Sequence, residues 1–196
     1  KRIVVMTKWS RKIFFGFLLG VLWLSSLSFV EAGGKNLYQN EKYGYELKVL
    51  PGWTIKEKSA EDVMLFSLSE VCSIWVSVIS IERSDSYGDF LLDQVKEEDG
   101  IGISKTVNQS ILTNFPDYQI EYTKLSTDRI VGHRVIETMF FPKDESGDKS
   151  PILVTGVVRK DQMFLLLSKA ENVTGMNRDL DEVVTMTKSF EFMEEK

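Results

Sequence analysis

The sequence predicts an α+β fold in which a mostly antiparallel sheet of about six or seven strands is flanked by helices on both faces, as in an α/β/α sandwich. Strand-like segments follow one another through short polar connectors, several of them are apolar on both sides, and two other stretches carry apolar residues at helical spacing. Parallel neighbours need a crossover of about a dozen residues or more, so short connectors require antiparallel strands. A strand that is apolar on both sides lies inside a sheet that is covered on both faces.

The first two strands are predicted within residues 36–50, as a hairpin. Pro51 and Gly52 then interrupt the pattern in an order typical of a type II turn, because proline sets φ at the first central position and glycine accepts positive φ at the second. The turn reverses the chain so that Trp53 can pack onto the core. Residues 57–62 are expected to form a charged loop or a short helix.

The next two strands are predicted at residues 63–68 and 73–81. Apolar residues fill both sides of the second one, with Ile74, Val76 and Val78 on one side and Trp75, Ile79 and Ile81 on the other. This pattern is typical of a central strand. Trp75 is therefore expected in the core.

Four more strands are predicted in the second half of the chain: Tyr118–Leu125, Ile130–Phe141, Pro151–Arg159 and Gln162–Lys169. Their connectors, at residues 126–129, 143–150 and 160–161, are too short for a crossover. These strands therefore form an antiparallel meander.

Two helices are predicted. Residues 84–99 form the first, with a capping box at residues 86–89 as its start and Gly100 as its stop. The second runs from Met176 to Ser189. Its acidic residues Asp179, Asp181 and Glu182 are expected to face water near the positive end of the helix.

The first 32 residues have the layout of a secretory signal peptide. Basic residues at positions 8, 11 and 12 precede the apolar stretch 13–29, and short residues at positions 30 and 32 predict cleavage after Ala32. The alternative is an uncleaved membrane anchor, which needs about 20 apolar residues, and this run is shorter and contains serines. We expect an exported domain of residues 33–196, periplasmic or extracellular, whose membrane contact is transient unless the signal peptide is retained.

The predicted mature chain is acidic. Removing 32 of the 196 residues leaves 164, and removing five bases and one acid leaves 19 basic and 28 acidic residues, a net charge of −9. A chain of this length forms one domain with its own core. Its charge repels phosphate backbones and anionic lipids, so no nucleic-acid partner is expected.

Cysteine and histidine, the usual zinc ligands and common catalytic residues, occur once each. Cys72 is the only cysteine and is expected to be a small buried hydrophobe. His133 is the only histidine and is expected to face solvent at the start of a strand, which argues against a catalytic triad or a His-rich zinc site. The acidic stretch 143–149 departs from the calcium-loop pattern and is interpreted as a hairpin tip. No catalytic, cofactor-binding or metal-binding residue is predicted.

Several short motifs occur in order along residues 37–192: Tyr38, Tyr43-Gly44-Tyr45, Leu50-Pro51-Gly52-Trp53, Ile130-Val131-Gly132-His133-Arg134 and Lys188-Ser189-Phe190. This order resembles the PsbP-like superfamily, which includes the photosystem II extrinsic protein PsbP, and in particular its bacterial exported members without a clear role. The resemblance implies an antiparallel sheet between helices, binding or assembly roles, and no established catalysis. The photosynthetic members help to retain calcium and chloride near a manganese cluster, but no residues here match a metal-ligating set.

The resemblance and the absence of catalytic motifs favour a non-enzymatic exported domain that binds a protein partner or serves as an accessory in an envelope assembly. One alternative is a small-ligand binder that uses a cleft between the sheet and a helix. Another is a hydrolase with a carboxylate pair. Seven conspicuous positions are interpreted as structural: Tyr45, Pro51, Gly52, Trp53, Trp75, Gly132 and Phe190.

Overall fold

The computed structural model of the chain describes residues 29–30, 37–59, 62–67, 71–82, 86–130, 132–144 and 148–194. Its strands are β1 (Phe29–Val30), β2 (Leu37–Asn40), β3 (Tyr45–Lys48), β4 (Thr54–Glu57), β5 (Asp62–Phe66), β6 (Cys72–Ser80), β7 (Tyr118–Ile130), β8 (His133–Pro142), β9 (Ile152–Arg159), β10 (Gln162–Ala170) and β11 (Glu191–Phe192). Its helices are a 3₁₀ turn (Leu91–Asp93), α1 (Glu97–Asn114) and α2 (Val173–Lys188). Apart from β1, the predicted signal peptide lies outside the described residues.

The large sheet has the strand order β1-β4-β5-β6-β10-β9-β8-β7, and every described pair in it is antiparallel. Seven of these strands are substantial, and β1 adds a two-residue strand at one edge. The predicted α+β class and antiparallel sheet are therefore confirmed. Within the described residues, no helix is long and apolar enough to cross a membrane.

A second, small sheet with the order β11-β3-β2 was not predicted. The hairpin of β2 and β3 is confirmed, but it pairs with the C-terminal strand β11 and not with the large sheet. The predicted type II turn follows it, since the Trp53 amide donates to the Leu50 carbonyl at 3.1 Å and Gly52 has φ +87°. After the turn, β4 forms where no strand was predicted, and it pairs with β5.

Side chains on one side of the large sheet form the first hydrophobic core, together with β3 and α2. Its members include Tyr45, Leu47, Ile74, Val76, Phe164, Leu166, Met176, Val183, Met186 and Phe190. The rings of Tyr45 and Phe190 stack with their centroids 5.2 Å apart, which ties β3 to the chain end.

The second hydrophobic core uses other residues of the same strands. Its members include Leu91, Leu92, Val107, Ile111, Ile136, Phe140, Ile152, Met163 and Leu165. Because successive strand residues point to opposite faces, Phe164 and Leu166 supply the first core, and Met163 and Leu165 supply the second.

The predicted helix at residues 84–99 is wrong. Residues 86–89 do not start a helix; instead, the Gly88 amide donates a hydrogen bond to Gln94 Oε1 at 2.9 Å. The helix α1 begins only at Glu97. Gly100 lies inside α1 because the helix approaches β7 closely: a Cβ at this position would meet Leu125 Cδ2 at 3.1 Å. Gly100, which the sequence predicted to end a helix, instead allows α1 to pack closely against β7.

The predicted connector at residues 126–129 is also wrong, because β7 continues to Ile130 and β8 begins at His133. An irregularity in register between Ser126 and Arg129 accommodates the polar stretch. β7 is an edge strand of the large sheet, where such irregularities are common. The chain reverses at Gly132, whose φ of +78° favours glycine.

Gly132→Ala and Gly102→Ala are expected to change stability in opposite directions. An added Cβ meets no atom within 4 Å at either position, so neighbouring side chains do not affect the comparison. Alanine at Gly132 adopts a left-handed conformation and should lower the free energy of unfolding by about 1–2 kcal/mol. Alanine at Gly102, inside α1, should raise it by about 0.5–1 kcal/mol. Urea unfolding measures both, and changes of the same sign would contradict the turn assignment.

A candidate binding site between the Pro51–Trp53 turn and helix α2

An open cavity of about 540 Å³ lies between the type II turn and α2. Its lining residues are Pro51, Gly52, Trp53, Ser67, Arg178, Asp179 and Glu182. The turn contributes an exposed edge, and α2 contributes three charged side chains. We call these seven residues the α2 site.

Trp53 forms the floor of the α2 site. Its side chain is 5% exposed and belongs to the first core. A buried indole N–H needs an acceptor, and Trp53 Nε1 donates to Glu182 Oε2 at 2.6 Å. The proline-glycine turn therefore places a large apolar ring in the core and points its one polar atom at α2.

Asp179 is buried beneath Arg178, although the sequence predicted that it would face water. Arg178 Nε and one terminal nitrogen donate to its two carboxylate oxygens at 2.6 and 2.8 Å. These hydrogen bonds lower the pKa of the Asp179 carboxyl below its usual value, against the opposing effect of burial, and Ser67 and Cys72 lie beside the same carboxylate. The spacing of apolar residues in α2 did not show that the side of the helix carrying Asp179 packs against Ser67 and Cys72.

Cys72 lies under the same part of α2. The side chain is completely buried, as predicted, and Sγ donates to the Gly175 carbonyl at 3.5 Å. Burial, followed by the nearby Asp179 carboxylate, raises the pKa of the Cys72 thiol to about 12. A thiol with such a pKa is a poor nucleophile, so Cys72 has a structural role.

A second concavity of about 530 Å³ adjoins the α2 site at the start of α2. Asn172 caps the helix by accepting the Gly175 amide at 2.8 Å, and Thr174 lines the concavity. Arg178 lines both spaces, and 55% of its side chain is exposed. A partner that covers Arg178 would therefore contact both concavities.

The two carboxylates of the α2 site are already engaged. Asp179 is held by Arg178, and Glu182 accepts the Trp53 indole N–H. A general acid needs a raised pKa, whereas the pKa of Asp179 is lowered. Asp179 therefore lacks the raised pKa of a general acid.

His133 is not among the residues of the α2 site. The sequence predicted a solvent-facing side chain, but its ring stacks on Phe90 with centroids 3.2 Å apart, and Nδ1 lies 2.7 Å from Asp93 Oδ2. Asp93 also accepts the Arg134 amide at 2.8 Å, so this cluster joins the start of β8 to the 3₁₀ turn. Among the described residues, no serine, threonine or cysteine hydrogen-bonds to His133, and no group of three or more histidine, cysteine or acidic residues could hold a metal ion.

Trp75 is half-buried, although the sequence predicted a core residue. Lys58 Nζ lies 4.6 Å from the centroid of the Trp75 ring. A lysine from the loop after β4 therefore covers the ring near the start of β6.

Comparisons with known proteins identify the fold. No protein-family model and no curated protein sequence matches the chain. Among solved structures, it is similar to the solution structure of cyanobacterial PsbP (CyanoP) from Synechocystis sp. PCC 6803, with 19% identity and a TM-score of 0.53 over 86% of this chain and 98% of that protein. A Bacteroides thetaiotaomicron crystal structure aligns with 12% identity and a TM-score of 0.48, over 82% of this chain and 49% of its own. The chain has a PsbP-like fold, as the sequence motifs predicted.

Glu182→Ala is expected to lower the free energy of unfolding by about 1 kcal/mol, because the buried Trp53 N–H loses its acceptor. In a Trp53→Phe background, the same change should cost almost nothing, since phenylalanine carries no N–H. Asp181→Ala is the matched control, as Asp181 is an exposed neighbour on α2. Urea unfolding of the double-mutant cycle measures the coupling, and equal costs in both backgrounds would contradict the bond.

The Cys72 thiol should make stability fall at alkaline pH. Its folded pKa of about 12 exceeds the ordinary value of 9.0, so its contribution is complete below pH 9.0 and is lost as pH rises towards 12. Cys72→Ala should therefore show a shallower decline, with a difference of up to about 1.4 kcal/mol per pH unit. The free energy of unfolding between pH 8 and 11 measures it. Parallel curves would contradict the raised pKa.

Proposed function

We propose that the chain is an exported, non-enzymatic accessory domain that binds a protein partner in a cell-envelope assembly. The observation that carries this proposal is the likeness of the described domain to CyanoP over nearly the whole of that protein. The PsbP-like resemblance implies binding or assembly roles and no established catalysis. The engaged carboxylates of the α2 site support the non-enzymatic part.

The α2 site is the surface that we assign to the partner. Pro51 and Gly52 are exposed, yet the buried Trp53 fixes the turn from below. An exposed loop on a rigid support is a common place for recognition. Arg178 adds a planar cation that can donate to carbonyl or carboxylate oxygens of a partner.

Export is part of the same proposal. The basic start, the apolar stretch and the short residues before Gly33 support cleavage after Ala32. The mature domain would act in the periplasm or outside the cell. Its net charge of −9 gives no support for a nucleic-acid partner or for an anionic membrane surface.

The proposal also includes the α/β/α layering. Residues of α2 pack with Phe164 and Leu166, whereas residues of α1 pack with Met163 and Leu165. Neighbouring residues of β10 point in opposite directions, which supports one helix on each face.

Site-specific photo-crosslinking tests the proposed partner. The full chain would carry a photoreactive residue at Thr174, which lines the concavity beside Arg178, or at Lys105 on α1 as a control. We expect one defined protein adduct from position 174 in the envelope fraction, a weaker one after Arg178→Ala, and none from position 105. In the same experiment, mass spectrometry should show that the N-terminal residue of the crosslinked chain is Gly33, which tests the proposed cleavage after Ala32. Equal adducts from both positions, or none from 174, would refute the assignment.

A small-ligand binder is the second candidate, because the α2 site forms a cleft of about 540 Å³ between the type II turn and α2. Volumes of about 300–1,000 Å³ are typical of small-molecule sites. A metabolite that raises the melting temperature of the wild type but not of Arg178→Ala would favour this function.

A further inference from the structure

A separate cavity of about 470 Å³ shares no residue with the α2 site. It lies where the β2–β3 turn, the β9–β10 turn and the residues after β11 meet. Lys42, Tyr43, Arg159, Lys160 and Met193 line it. Neither the sequence motifs nor the proposed function accounts for it.

The charge of this cavity opposes that of the whole chain. The chain has a net charge of −5, but the cavity lining carries three cations, Lys42, Arg159 and Lys160. Glu41 and Glu194 also line it, and both are exposed, whereas Arg159 is half-buried. The lining therefore has a net charge of +1, and a bound anion would balance it.

Arg159 is held in place by aromatic rings. Its guanidinium carbon lies 4.8 Å from the centroid of the Phe192 ring. Phe192 in turn contacts Phe90, Phe164 and Phe190, with centroid separations of 5.7, 5.0 and 5.2 Å. A guanidinium fixed in this way loses little freedom on binding, and its planar fork matches a carboxylate.

The backbone around the cavity is also fixed. Lys160 has φ +53° and is the one described residue other than glycine with a positive φ. Its amide donates to the Asp89 carbonyl at 2.6 Å, and the Met193 amide donates to the Gly44 carbonyl at 2.8 Å. Lys160 is the first residue of the two-residue turn between β9 and β10, and tight hairpin turns of this kind require a positive φ. This backbone conformation fixes the direction in which the Lys160 side chain leaves the β9–β10 turn.

We propose that this cavity binds a small organic carboxylate. The carboxylate group pairs with Arg159 and Lys160, and the apolar body of the ligand packs against Tyr43 and Met193. The volume of the cavity is typical of a small-molecule site. The backbone hydrogen bonds of Lys160 and Met193 and the stacking of Arg159 on Phe192 make the site preformed. This binding activity is independent of the partner surface on α2.

Benzoate is a suitable probe, and benzamide is its neutral control of the same shape. Titration of the full chain carrying ¹³C-labelled methionine methyl groups, with Met193→Leu to assign the signal, reports directly on the cavity. We expect a saturable shift of the Met193 methyl signal with benzoate at millimolar concentrations and no such shift with benzamide.

Two charge variants and one control complete the test. Arg159→Gln and Lys160→Asn should each weaken benzoate binding by about tenfold or more, and asparagine keeps the left-handed turn accessible. Lys188→Gln, on α2 outside the cavity lining, should bind as the wild type does. The proposal is overturned if benzoate gives no saturable shift, if benzamide binds equally well, or if Lys160→Asn binds benzoate with unchanged affinity.

Discussion

The pairing of β6 with β10 holds the two halves of the large sheet together. Residues Cys72–Ser80 face Gln162–Ala170 in one unbroken antiparallel register, which joins β1-β4-β5 on one side to β9-β8-β7 on the other. β10 supplies both cores, whereas β6 supplies the first core and borders the second through Ile79. A slip of one residue in β6 would bring Ser73 and Ser77 to the first core in place of Ile74 and Val76, and this makes the register strongly specified.

This pairing also positions the candidate sites. β10 ends beside the start of β6 and leads directly into α2, so Asp179 and Gly175 reach Cys72 at the first residue of β6. The Pro51-Gly52 turn then brings Trp53 onto α2 from the other side. At the opposite ends of the paired strands, the β9–β10 turn carries Lys160 into the cationic cavity. The two ends thus differ in charge and in the chemistry they offer to a ligand.

Local sequence patterns were sufficient for much of the fold. The strands β5, β6, β9 and β10 lie within one or two residues of their predicted bounds, because alternating or continuous apolar runs between turn residues leave few alternatives. The type II turn at Pro51-Gly52 was equally predictable, since both residues have narrow backbone preferences. The complete burial of Cys72 followed from its apolar neighbours, and the ordered aromatic and glycine motifs predicted the PsbP-like fold.

What the sequence determined by itself was therefore the class of fold, most strand positions and the turn chemistry, all of which depend on neighbours along the chain. The tertiary structure decided the rest, because contacts between distant segments overrode local preference. Packing against Leu125 allowed Gly100 to lie inside α1. Contact of α2 with the start of β6 buried Asp179, and pairing with β3 gave the chain end a strand of its own. The two cavities are likewise made of segments far apart in sequence, so no local pattern could show which charges meet in them.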